Sequence, residues 1–139
     1  MEKYTYEQLL EIIAELRSDH GCPWDRAQTH ESMIKCFYDE CDEVVEAIKN
    51  KDDENLCEEL GDVLLQVLLH AQIAKEEGRF TMEDVVDGIA KKMIRRHPHV
   101  FGDAPLAQSA EEGLANWEAI KAKEKEEKKR RAEKREENI

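Results

Sequence analysis

Apolar residues recur along this chain at intervals of three and four, the spacing of one face of a helix. Leu9, Ile12, Ile13 and Leu16 make the first stripe, and Thr5 followed by Gln8 fits a capping box, so the pattern predicts a helix from about Thr5 to Ser18. Gly21 and Pro23 interrupt it in "DHGCPWDRAQ", which reads as a loop. A second helix is expected from near Thr29 to near Asn50, and a third from near Asp53 to Gly78, a glycine suited to a helix C-terminus. Only "NKDDEN" separates these two, so they should form an antiparallel hairpin. Thr81 with Asp84 opens a fourth helix, which Pro98 must end. "HPHVFGDAPLAQ" reads as a loop, and Ser109 with Glu112 opens a fifth helix carrying Leu114, Trp117 and Ile120. From Lys121 on there is no apolar stripe. The expected architecture is therefore all-α, a four-to-five-helix bundle over residues 1–121, with 122–139 a charged helical extension or a disordered tail.

Composition agrees: only three prolines and six glycines punctuate the chain, and 40% hydrophobic residues can supply a core despite 39% charged ones. The net charge of −12 is uneven. Residues 121–139 hold nine Lys/Arg and six Asp/Glu, a net of +3, which leaves −15 for residues 1–120. So acidic a body repels bare nucleic acid and anionic membranes, and an anionic ligand would need a local basic patch or a metal. No apolar run reaches membrane-spanning length, and "MEKYTYEQLL" lacks the apolar core of a signal peptide, so a soluble cytoplasmic protein is expected. Cys22, Cys36, Cys41 and Cys57 form no C-x-x-C pair, which argues against zinc and for small core residues. Trp24 is expected to anchor its loop against the core.

The acids of "YDECDEVVEAI" do not all point one way. At about 100° per residue, Met33, Ile34, Phe37, Cys41, Val44, Val45 and Ile48 share an apolar arc, with Asp39, Asp42 and Glu46 opposite, as a solvated face would place them. Glu40 lies at the margin of the arc and Glu43 beside it, three residues on. The third helix is apolar nearly all round from Leu60 to Ala74, except for one stripe: Glu59, Asp62, Gln66 and His70. Carboxylates on a buried helix are costly unless paired or metal-bound. A hairpin can bring Glu59 and Asp62 opposite Glu40 and Glu43, and four like charges at close range call for a cation. Hard oxygen donors suit Mg²⁺ or Mn²⁺. Redox di-iron sites in bundles use Glu-x-x-His pairs, which are missing here. His70 reads more simply as a hydrogen-bonded core histidine.

"KKMIRRHPHVF" is the one basic cluster in the acidic body. Lys92 and Arg96 share a helix face that continues Val85 and Ile89, with Arg95 to one side. Such groups suit a polyphosphate; salt bridges to the abundant acids and favourable charge at a helix C-terminus are the alternative. For Trp117, packing is the simpler role and stacking on a base the other.

These residues carry a family resemblance. "GCPWDRAQTHES", "DECDEVVEAI", "EELGDVLLQVLLHAQIA", "RRHPHVFGD" and "NWEAIK", in this order over residues 21–121, resemble the MazG-type nucleoside triphosphate pyrophosphohydrolases of the all-α NTP pyrophosphatase superfamily. The family's Glu-Glu-x-x-Glu then Glu-x-x-Asp motif here reads Asp39-Glu40-x-x-Glu43 and Glu59-x-x-Asp62, with Asp39 in place of the first Glu. The resemblance implies that Glu40, Glu43, Glu59 and Asp62 bind Mg²⁺ and are catalytic. It implies that Lys92 and Arg96, with Arg95, hold phosphates and that Trp117 lies at the nucleotide. The implied reaction is NTP + H₂O → NMP + pyrophosphate, for ribo- or deoxynucleotides, by a homodimer or a higher assembly of hairpins. A non-catalytic nucleotide-binding module of the same fold, or a hydrolase of a modified nucleotide or alarmone, are the rival expectations.

Overall fold

A computed structural model describes residues 2–138, and among these there are seven α-helices, one 3₁₀ turn and no strand. The helices are α1 (Tyr6–Leu16), α2 (Pro23–Ala27), α3 (Ile34–Lys49), α4 (Asp53–Glu76), α5 (Met82–Arg96), α6 (Pro98–Phe101) and α7 (Ala110–Glu137), with the 3₁₀ turn at Glu31–Met33. The all-α expectation holds. The two additions, α2 and α6, are single turns that begin at prolines inside the predicted loops; Pro fits the first helical position, where no N–H is needed.

The chain divides into two compact units between Val85 and Val86. In the first, Ile13, Met33, Leu68 and Leu69 form the core, flanked by Leu9, Leu10, Cys36, Leu65 and Met82. The capping box of α1 is complete: Thr5 Oγ1 accepts from the Gln8 N–H at 3.2 Å, and Gln8 Oε1 accepts from the Thr5 N–H at 2.8 Å. Asn50, Lys51 and Asp52 alone join α3 to α4, with Lys51 in the left-handed region at φ 52°. Gly78 follows α4 at φ 70°, as a terminating glycine should.

Burial departs from the sequence pattern in three places. Only the C-terminal half of α4 is enclosed; Leu60 stays 52% exposed and Leu64 is exposed too. On α3 the buried residue is Ala47, while Ile34, Cys41, Val45 and Ile48 are exposed, because α4 covers the side of the arc that carries Phe37 and Val44. Trp24 is 63% exposed rather than packed against the core; Cys41 and Cys57 are exposed and Cys22 is half-buried, so of the four cysteines it is Cys36 that packs against the core.

The loop after α1 is held instead by Arg17, whose side chain is 6% exposed. Its Nε and Nη2 donate to the two oxygens of Glu76 at 2.9 and 3.1 Å, and its Nη1 donates to the carbonyls of Asp25 (2.6 Å) and Gln28 (3.0 Å). Gly21 is required for another reason. A Cβ there would sit 2.2 Å from the Glu15 carbonyl oxygen and 2.3 Å from that of Leu16. Backbone cannot step aside as a side chain tip can, so Gly21→Ala should destabilise the fold by about 2 kcal/mol, read by chemical denaturation. Gly61→Ala, with open space around it in the interior of α4, should instead stabilise by up to about 1 kcal/mol.

In the second unit α7 runs to Glu137 without a break at residue 121. Glu124–Lys128, Glu126–Arg130 and Glu127–Arg131 are spaced i,i+4 with the acid first, the favourable order for a helix with little to pack against. Ser109 caps α7 by accepting from the Glu112 N–H at 3.1 Å, but the box is not closed: Glu112 accepts from the Gln108 N–H instead.

Candidate functional site

The α3–α4 hairpin is antiparallel, since Phe37, early in α3, meets His70, late in α4, with ring centroids 5.8 Å apart. That register brings Glu40 and Glu43 to Glu59 and Asp62. Each of the four offers a carboxylate oxygen, and all four atoms lie within 4.8 Å of one another. Asp39 points away and pairs with Lys35 at 2.7 Å, and Asp42 and Glu46 are exposed, as the helical wheel predicts.

The electrostatics of the four show strain that a cation would relieve. One oxygen of Glu40 and one of Glu59 are buried without a hydrogen-bond partner. Burial, then repulsion from Glu43 and Asp62, pushes the Glu40 carboxyl up from its ordinary value. Glu59 is pushed up to about 7, first by hydrogen bonding to Glu43, then by burial and by the charges of Glu43, Asp62 and Glu40. The donor set is all oxygen and all carboxylate, with orphaned lone pairs aimed inward. Such a set fits a hard divalent cation such as Mg²⁺ or Mn²⁺, and it offers no nitrogen or sulfur for softer metals.

Further along the same α4 stripe, Gln66 is 4% exposed and its Oε1 lacks a partner. His70 comes next, joined to His30 by a 2.7 Å Nδ1–Nδ1 hydrogen bond with the rings stacked at 4.9 Å. Arg79 Nη2 lies 2.5 Å from His30 Nε2. Guanidinium can only donate, so His30 Nε2 accepts, His30 Nδ1 carries the proton and His70 Nδ1 accepts it. Protonating His70 at Nδ1 would break that bond. Burial, then the neighbouring His30, holds His70 below the ordinary histidine value. A lowered folded value means stability present above pH ~6.5 and lost as pH falls through it. Wild-type stability should therefore decline below pH ~6.5, and His70→Gln should flatten that decline in denaturation curves taken across the range.

The basic residues lie in the second unit. Arg96 is 12% exposed; its Nε and Nη2 donate to one oxygen of Glu124 at 3.0 and 2.9 Å, and Arg95 Nε donates to the other. The Arg96 guanidinium also lies over the Trp117 ring, 5.0 Å from its centroid, and His97 meets that ring edge-on at 5.3 Å. Hydrogen bonding from Arg95 comes first among the causes that hold the Glu124 carboxyl down to about 2. Lys92 is half-buried and makes no ion pair among the described residues. The sequence reading missed Glu124, whose one signal is its place two turns after Trp117 on the same face of α7. It also missed His30 and Arg79, which no local pattern connects to His70.

Residues 28–101 match the model of the MazG nucleotide pyrophosphohydrolase domain. The chain is 54% identical over 124 residues to a protein named nucleoside triphosphate pyrophosphohydrolase/pyrophosphatase MazG from Thermotoga maritima, covering 89% of this chain and 47% of that protein. It is 54% identical over 127 residues to the uncharacterized protein YabN of Bacillus subtilis, covering 89% of this chain and 26% of YabN. The nucleoside triphosphate pyrophosphohydrolase of Escherichia coli K12 is 45% identical over 120 residues, with 86% and 45% covered. A crystal structure of a mazG-related protein from Thermotoga maritima superposes with a TM-score of 0.66 at 34% identity, covering 84% of this chain and 98% of that one. The chain belongs to the MazG nucleotide pyrophosphohydrolase domain family. It spans between a quarter and a half of the length of these curated relatives.

Proposed function

We propose that this chain is a Mg²⁺-dependent nucleoside triphosphate pyrophosphohydrolase that converts NTP or dNTP and water to the nucleoside monophosphate and pyrophosphate, controlling or cleansing the nucleotide pool. The observation that carries this reading is the convergence of four carboxylate oxygens within 4.8 Å, two of the acids having buried, unpartnered oxygens. Glu40, Glu43, Glu59 and Asp62 would hold the metal. Bound there, Mg²⁺ would offset phosphate charge and lower the barrier to displacement at phosphorus. A carboxylate of this set accepts the proton of the attacking water. In the second unit Lys92, Arg95 and Arg96 are the phosphate contacts, and they stabilise the charge that collects on the leaving pyrophosphate. Trp117 contacts the nucleotide. The activity belongs to residues 1–121, with 122–139 as an extension.

A homodimer is part of the proposal. Ile34, Tyr38, Val45 and Ile48 of α3 and Leu60 and Leu64 of α4 leave an exposed apolar face on the first unit, which a second hairpin would cover. No helix among the described residues is long and apolar enough to cross a membrane, in keeping with a cytoplasmic enzyme acting on dissolved nucleotides.

The test is a panel of ribo- and deoxynucleoside triphosphates, modified nucleotides and alarmones, each incubated with the pure protein and Mg²⁺ or EDTA. Monophosphate and pyrophosphate should appear in equal amounts, only with the metal. Binding without turnover across the panel would leave a nucleotide-binding module instead, and turnover confined to one modified nucleotide would narrow the substrate.

A further inference from the structure

We infer that Glu124 is a built-in anion that occupies the Arg95–Arg96 guanidinium pair in the free protein and must leave before phosphate groups bind there. The inference rests on the proposed role of those arginines as phosphate contacts. Neighbouring residues on a helix diverge by about 100°, yet Arg95 and Arg96 both bend to a single carboxylate, one to each oxygen. Two guanidiniums converging on adjacent oxygens of one anion is an arrangement equally suited to two oxygens of a phosphate. The Arg96 side of the contact is sheltered, with Glu124 14% and Arg96 12% exposed, while Arg95 is 53% exposed and open to solvent screening. The Trp117 ring supports the Arg96 guanidinium from one side, independently of the carboxylate. Once Glu124 is gone, Arg96 therefore keeps one of its two restraints and remains available to another anion.

Such a competitor weakens ground-state and transition-state binding alike, so it raises KM and leaves kcat unchanged. A carboxylate that merely orients the arginines would do the reverse, improving phosphate binding by its presence.

Inorganic tripolyphosphate, titrated into the full chain by calorimetry without metal, reads anion binding by the basic side chains apart from the carboxylate site, and the variants isolate the share of the arginine pair. Glu124→Gln should bind it about tenfold more tightly than wild type, the scale of one charge-assisted hydrogen bond. Glu133→Gln, which makes the same change in net charge further along α7, should shift binding much less. With nucleotide and Mg²⁺, Glu124→Gln should lower KM by a similar factor at constant kcat. Glu124→Ala serves as a second variant that cannot bridge the arginines through an amide. Tripolyphosphate binding equal to wild type, weaker, or matched by Glu133→Gln overturns the inference. The calorimetry stands apart from turnover: an inactive protein with tighter Glu124→Gln binding would overturn the hydrolase reading and leave this one intact.

Discussion

Glu59→Gln is expected to lower Mg²⁺-dependent pyrophosphate release by about a hundredfold or more, the scale of losing metal stabilisation of transition-state charge. In the same variant the metal-free protein should melt higher than wild type. Both effects have one cause. Glu59 sits against Glu43, Asp62 and Glu40 with one oxygen buried and unpartnered, so its charge destabilises the empty fold and favours a bound cation. The amide removes the repulsion and the affinity together. Thermal melts with Mg²⁺ and with EDTA read this directly: wild type should gain stability from Mg²⁺, and Glu59→Gln should gain far less. Asp62→Asn should behave the same way. Wild-type turnover in both variants would place the chemistry elsewhere, while an unchanged Mg²⁺ response would show that these acids hold no metal.

Arg17→Leu should give the largest loss of stability, about 3 kcal/mol, with activity per folded molecule far less affected. The arginine is nearly buried and joins three places in the first unit: the end of α1, the loop around α2 and the end of α4. Leucine leaves the carbonyls of Asp25 and Gln28 without their donor. The share owed to Glu76 is smaller, because that carboxylate is 36% exposed and water can replace its partner. Arg17→Lys should recover only part of the loss, since one ammonium cannot reach two carbonyls and both carboxylate oxygens in this fork geometry. Hydrogen bonding from Arg17 holds Glu76 below its ordinary value, so the contribution of the pair is present above the usual carboxylate range and is lost as pH falls below it. Acid titration of stability should thus be shallower in Arg17→Leu than in wild type.

Local rules were enough to read much of this protein from its residues. Helical periodicity placed five long helices, because each apolar stripe and each capping residue acts within a turn or two. The same periodicity separated Glu40 and Glu43 from Asp39, Asp42 and Glu46, and it isolated Glu59 and Asp62 on an apolar helix. The short link at Asn50–Asp52 left an antiparallel hairpin as the only way to connect α3 and α4, and with it the four-carboxylate cluster was already implied. What tertiary structure alone decided lies where partners are distant in sequence. Arg17 meets Glu76 across 59 residues, His30 meets His70 across 40, and Glu124 meets Arg95 across 29. A hydrogen bond depends on distance and angle between side chain tips, which residue spacing does not encode beyond a few helical turns. Burial was likewise undecided by pattern: the wheel marks Ile34, Val45, Leu60 and Leu64 as apolar, but only packing determines whether one chain covers them, and here it does not.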